Sequence, residues 1–329
     1  MPDSGGKMKK TGLLLLLLLA VSGWAQQAGS DNGEPATPDK TQFTRVSFPI
    51  ERVQTPTSAD LYCAGFINKQ LLPNVNFVAG GLDTPNTTKY VNGDMIYLAG
   101  SGYQTGQQYT IVRELQDPNR YELFAGQHAL LRATGQPYSE LARVRIVDTR
   151  SKMAIAEVEF SCDPVVPGDL AIPFVEKAAV PFHPPMHFDR FLPATGKVSG
   201  RIVMAKDFDS ELGTGMKVYM NVGSSQGVKV GDYLRAVRTY AADLKDPVDS
   251  LSFKASTTED TQKRPAVIQP TMLDLYTKGP HINEADLPRR AVGEVVVIST
   301  TPTTSTGMIV YALEDVHSGD TVELDEQPQ

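Results

Sequence analysis

Residues 293–320 read GEVVVISTTPTTSTGMIVYALEDVHSGD, and residues 142–169 read ARVRIVDTRSKMAIAEVEFSCDPVVPGD. Laid over one another at an offset of 151, the two stretches agree in pattern without a gap: ARVRIV over GEVVVI, Val158-Glu-Phe160 over Ile309-Val-Tyr311, and Val165-Val-Pro-Gly168-Asp169 over Val316-His-Ser-Gly319-Asp320. Each holds short runs rich in β-branched residues with alternating apolar positions, the signature of strands with one buried face. Each closes on a Gly-Asp turn, in which glycine supplies a positive φ and aspartate bonds its own backbone.

The same order extends towards the N-terminus. Residues 96–98 (IYL) match 218–220 (VYM), and 106–113 (GQQYTIVR) match 231–238 (GDYLRAVR). The opening strands 63–67 (CAGFI) and 198–202 (VSGRI) fit the same frame. An order kept twice is one structural module used twice. Each copy holds about five to six strands in roughly 130 residues, too few for two broad sheets and enough to close a small barrel around one core. The expected fold is mainly β: two tandem small β-barrel-like repeats with a long insertion in the second. Repeat 1 spans 46–175 and repeat 2 spans 197–325. Between them, 176–196 forms a Pro-rich, semi-rigid linker. The best helical periodicity lies at 121–133, with a weaker stretch at 243–253.

The ends of the chain carry an address. Met8-Lys9-Lys10 forms a basic start, Leu13 begins an apolar run that ends at Val21, and Gly23 with Ala25 places small residues at a cleavage site, so 1–25 reads as a signal peptide. Residues 26–45 are polar and rich in Gly, Pro and Asp, a flexible tether. The run is too short for a permanent membrane helix, so no stable span is expected after cleavage. The full chain of 329 residues has 31 basic and 38 acidic residues, a net charge of -7. An acidic, exported chain is a poor match for nucleic acid or anionic lipid. The expected location is periplasmic or secreted.

The pattern in 198–238, followed after an excursion by Gly293-Glu-Val-Val-Val-Ile and then Val316-His-Ser-Gly-Asp, resembles the C-terminal β-domain of the flagellar assembly protein T family. It is also similar to modules of LysM-containing bacterial envelope proteins. The likeness covers about the last 130 residues clearly and the first copy faintly. The N-terminal domains of the flagellar family and a LysM segment are not visible. The resemblance implies an exported, non-enzymatic module docking on other envelope components, either an envelope protein or a cell-wall component.

Candidate chemistry is sparse. Gly223-Ser-Ser225-Gln-Gly227 matches G-x-S-x-G, which in an α/β-hydrolase places the serine on a turn between strand and helix. Here a strand-like stretch follows, and neither His281 nor His317 arrives with a recognisable acid partner, although Asp243, Asp246 and Asp249 precede them. A serine hydrolase using Ser225 is the alternative function, and a peptidoglycan-binding module is a variant of the first reading. His183 and His187 flank Pro184-Pro185-Met186 with Asp189 beyond; Pro185 blocks helical ligation, so structural or solvent-exposed histidines are expected rather than a metal site. His128 reads as structural, and the Asn86-Thr-Thr88 sequon carries little weight. No phosphate-cradle, dinucleotide, zinc-protease or CxxC motif is present, so no cofactor is expected.

Two further expectations concern copy one and the insertion. Cys63 and Cys162 sit on what read as first and last strands, which a closed barrel makes neighbours. They are either a disulfide formed in an oxidising compartment or a pair of buried thiols. Their counterparts in copy two are read as Val198 and Leu313. Between Arg113 and Ala142 lie 28 residues; between Arg238 and Gly293 lie 54. The excess sits in an insertion at 239–290, which is either disordered or a partner-binding loop on a rigid scaffold. Its candidate contacts are Ile268, Met272, Leu273, Leu275 and Tyr276.

Overall fold

The computed structural model describes residues 54–181, 189–239 and 288–325. The expected signal and tether segments, the stretch 243–253, His183, His187, His281 and the candidate contacts from Ile268 to Tyr276 lie outside the described residues.

The first copy begins with α1 (Ser58–Tyr62) and β1 (Phe66–Asn68). There follow β2 (Phe77–Gly81), β3 (Met95–Ala99), β4 (Gln108–Glu114), α2 (Gln127–Thr134), β5 (Gln136–Asp148), β6 (Ala154–Ser161) and β7 (Leu170–Pro173). The second copy holds β8 (Ser199–Ala205), β9 (Glu211–Leu212), β10 (Lys217–Met220), β11 (Tyr233–Arg238), β12 (Arg290–Thr300), β13 (Ser305–Ala312), β14 (Val316–His317) and β15 (Thr321–Leu324).

Both copies are closed six-stranded antiparallel barrels. The first ring runs β2-β3-β6-β5-β4-β7 and returns to β2; the second runs β8-β10-β13-β12-β11-β15 and returns to β8. The strands occur in the same order in both rings, so the topology is repeated. Closure leaves no free ladder edge on either ring.

Alternation along each strand sends the apolar positions inward. Val78, Ile96, Leu98, Val144, Ile146 and Val158 fill the first barrel. Ile202, Val218, Met220, Val295, Val297 and Ile309 fill the second at the corresponding register positions. Each such fully buried side chain contributes about 1.5–3 kcal/mol relative to exposure. The closing turns also repeat: Gly168 N donates to Val78 O at 2.8 Å, and Gly319 N donates to Ile202 O at 2.8 Å.

This bond pair corrects the opening of the repeat. The counterpart of β8 is β2, and not the stretch 63–67. Cys63 caps α1, and β1 pairs only with β5, outside the ring. Short alternating segments look alike, so the frame for the opening strand slipped to the wrong one; Val198 is therefore not the counterpart of Cys63, whereas Leu313 does correspond to Cys162. The backbone nitrogens of Cys162 and Leu313 donate to Leu141 O and Val292 O at 2.6 and 2.8 Å.

Three boundaries shift as well. The helix expected at 121–133 begins at Gln127, because Gly126 sits at φ 87° and Glu122 turns back to accept from the backbone nitrogens of Gly126 and His128. Arg290 belongs to β12, so the insertion ends one residue earlier, at 289. The start of the expected spacer is docked: Lys177 Nζ donates to both oxygens of Glu140 at 2.7 Å, and Val180 packs against the second barrel's Tyr311 cluster.

Candidate functional site

The two barrels meet at α1, β1 and the turn between them. Thr57 and Asp60 form a reciprocal capping box, which lets a helix of five residues start in a defined direction. Asp60 then pairs with Lys217 of the second barrel at 2.5 Å. Three hydroxyls of the second barrel donate to carbonyls of this joint: Tyr219 Oη to Ala64 O at 3.1 Å, Thr306 Oγ1 to Gly65 O at 2.9 Å, and Thr304 Oγ1 to Ile67 O at 2.7 Å. Gly65 adopts φ 69°, and a Cβ there would lie 2.3 Å from Tyr219 Oη. Burial pushes the Tyr219 phenol well up, with the negative charge of Glu140 adding to it, so it stays a neutral donor.

The joint is also tied to the first barrel. Cys63 and Cys162 form a disulfide with Cα atoms 5.7 Å apart. Cys63 closes α1, and Cys162 directly follows β6. Glu140 accepts from Gly65 N at 3.0 Å while holding Lys177, whose Nζ also donates to Leu61 O at 2.8 Å. Tyr62 stacks on Phe174 with centroids 5.6 Å apart, and Arg143 lies over both rings. One short segment is thus bonded to both barrels.

A second constellation lies on the outer face of the second barrel, on the strands that flank the insertion. Arg235 on β11 stands opposite Glu294 on β12 and Glu323 on β15. All three are buried. Arg235 Nη2 donates to Asp325 Oδ1 at 2.6 Å, and Arg289 grips both oxygens of Glu323 at 2.6 and 2.7 Å. The Arg289 bonds hold Glu323 below the usual carboxylate range. Glu294 behaves oppositely: burial, reinforced by the nearby charge of Asp325 and opposed by Arg235, raises it to about 7. Among the described residues its Oε2 is buried without a hydrogen-bond partner. The Arg235–Asp325 and Arg289–Glu323 pairs thus lie beside the strands from which 239–289 leaves and to which it returns, while Glu294 makes no ion pair among the described residues. Alternation alone marked these positions as outward; nothing in the pattern distinguished a buried charged band from a solvated one.

The other predicted residues scatter. Ser225 lies in an exposed 3₁₀ turn (Ser224–Gln226) between β10 and β11, its backbone nitrogen donating to Pro302 O at 3.0 Å. The segment after it runs into a strand and not into a helix. His317 is on β14, its nitrogen bonded to Asp320 Oδ2 at 2.7 Å. His128 sits on α2 with Nδ1 at 3.6 Å from Glu122. Asn86 is exposed on the turn after β2. Among the described residues, no three His, Cys, Asp or Glu side chains are grouped to hold a metal ion, and no helix is long and apolar enough to cross a membrane.

No family model matches the chain, and no curated protein matches it. The disulfide is itself a pointer to compartment, since such bonds form and persist where the surroundings are oxidising.

Proposed function

We propose that this protein is an exported, non-catalytic scaffold of the bacterial envelope, periplasmic or secreted, that docks on an envelope protein or cell-wall component through its β-modules. The observation that carries this reading is the joint: one segment is bonded covalently to the first barrel and by three hydroxyl donors to the second. Such coupling suits a body that must present a loop in a fixed orientation. The segment proposed for this role is 239–289, whose flanking strands carry the Arg235–Asp325 and Arg289–Glu323 pairs. Loops on rigid scaffolds are where recognition concentrates. The signal-like segment and the disulfide support the location, and the resemblance to the flagellar assembly protein T β-domain supports the envelope setting.

The test replaces 240–288 with a short Gly-Ser link, which leaves Arg289 on Glu323. The expected result is a cooperatively unfolding protein that no longer co-sediments with solubilised envelope fractions or purified peptidoglycan, whereas the intact protein does. Association that survives the replacement would remove the insertion from the reading, and ester hydrolysis abolished by Ser225→Ala would replace the reading with the hydrolase one.

A further inference from the structure

The repeat gives each barrel the same outer face, but among the described residues only one of the two is fully covered. On the second barrel, Tyr219, Ile298, Thr304 and Thr306 form that face, and all are buried under Leu61, Ala64, Gly65 and Ile67 of the joint. Register identifies their counterparts on the first barrel. Tyr97 stands opposite Ile155 as Tyr219 stands opposite Thr306, and Val147 falls at the same strand irregularity as Ile298. Met153 corresponds to Thr304 at the offset of 151. Among the described residues no segment covers this face as the joint covers the other: Val147 and Met153 are 42% and 43% exposed and Tyr97 and Ile155 half-buried, against 2% for Ile298 and 1% for Thr304. Where the covered face carries two threonines, the open one carries methionine and isoleucine, which makes it the more apolar of the two.

The covering segment has a partial counterpart in the second copy. β1 runs beside the start of β5, with Ile67 opposite Pro137. The chain approaching the second barrel runs beside the start of β12, where Ala291 N donates to Arg190 O at 2.8 Å. There Phe191 and Leu192, next in the chain after Arg190, are 61% and 36% exposed. Lys152 at the tip of the open face carries the charge opposite to that of Asp189 beside Phe191.

We infer that the open face of the first barrel, built on Tyr97, Val147, Met153 and Ile155, binds a second copy of this chain through the Phe191 and Leu192 turn, an apolar contact on the face that the joint covers in the second barrel. This goes beyond the proposed envelope function and does not depend on it. The contact is heterologous, so it propagates into a ring or an open filament. Contiguous exposed apolar surface of this kind marks association sites.

Sedimentation velocity on the full mature chain over a concentration series tests it, with Met153→Asp and Phe191→Asp as variants at exposed positions. The unmodified chain is expected to show species beyond the monomer that grow with concentration. Each variant alone is expected to stay monomeric, because every contact needs one intact face and one intact turn. Mixed in equal amounts, the variants are expected to form a dimer that stops there. Thermal melts matching the unmodified chain confirm that both fold. The inference is overturned if the unmodified chain stays monomeric at all concentrations. It is also overturned if Phe191→Asp still self-associates, which would mean face-to-face packing, if the mixture yields no dimer, or if association appears only once residues 26–53 are removed, which would make that segment the occupant.

Discussion

Arg238 grips Asp320 through two parallel bonds, Nε to Oδ1 at 3.0 Å and Nη2 to Oδ2 at 2.9 Å, with both side chains almost wholly buried. Arg113 grips Asp169 in the same way in the first barrel, both bonds at 2.8 Å. Each arginine also donates to an equivalent carbonyl, Asp315 O in one barrel and Pro164 O in the other, and each aspartate accepts the nitrogen three residues before it. The pair joins the end of the third ring strand in chain order to the turn that starts the sixth, which closes the barrel. Arg113 is 35% exposed, whereas Arg238 is 4% exposed. Breaking the buried pair is the costlier change: Asp320→Ala is expected to lose about 3–5 kcal/mol of unfolding free energy. Asp169→Ala is expected to lose clearly less, because solvent reaches its arginine. Urea denaturation of the two variants checks the ranking, and equal losses would contradict it.

Replacing Cys63 and Cys162 by serine removes a crosslink that closes a loop with a sequence separation of 99. The expected loss is about 4 kcal/mol, from the greater freedom of the unfolded chain. The barrels should persist, since neither cysteine is in a ring strand. Far-UV circular dichroism that keeps its β signature together with a lowered denaturation midpoint is the expected pair of readings.

Gly65→Ala places a methyl group 2.3 Å from Tyr219 Oη and 2.5 Å from Tyr138 O, at a φ that side chains avoid. The joint must move, and the expected loss is about 2–5 kcal/mol. Unfolding followed by two probes, one in each barrel, is expected to separate into two transitions. Tyr219→Phe keeps the ring and removes one bond, so about 1 kcal/mol is expected, with the transitions remaining joined.

Glu294 is held at about 7 in the folded protein, above the 4.5 of an ordinary glutamate. The folded state therefore binds more protons than the unfolded one between these values, and stability contributed at this site falls as pH rises through that window. Below pH 4.5 nothing is lost; above pH 7 the loss is complete and amounts to about 3 kcal/mol at most. Glu294→Gln is expected to raise the melting temperature at pH 8 and to leave it nearly unchanged at pH 4. A variant that is less stable at pH 8 would show that the ionised carboxylate is compensated.

The barrels were legible because their information is local and written twice. Val144, Ile146 and Val158 alternate with outward residues as Val295, Val297 and Ile309 do, and the Gly168-Asp169 and Gly319-Asp320 turns punctuate both copies. Alternation assigns each residue to a face, and an offset of 151 kept over 28 residues sets the register. The cysteine pair was legible as neighbours for a related reason, although Cys63 proved to cap a short helix. The opening strand was misassigned where the copies part, since 77–81 offers no cue that 63–67 lacks.

What no pattern carried is the meaning of the outward positions. Tyr219 and Tyr97 hold the same place on the same strand, yet one is buried beneath Ala64 and Gly65 and the other is not. Gly65 meets Tyr219 across 154 positions of chain, and Thr306 reaches Gly65 across 241. Arg235, Glu294 and Glu323 alternate as ordinary surface residues and end as a buried band. Strand alternation specifies inside and outside for a single barrel, because the hydrophobic effect acts on each strand against its own core. Which outside is covered depends on where a second body comes to rest, and that is settled by long-range packing that leaves no periodic trace in the chain.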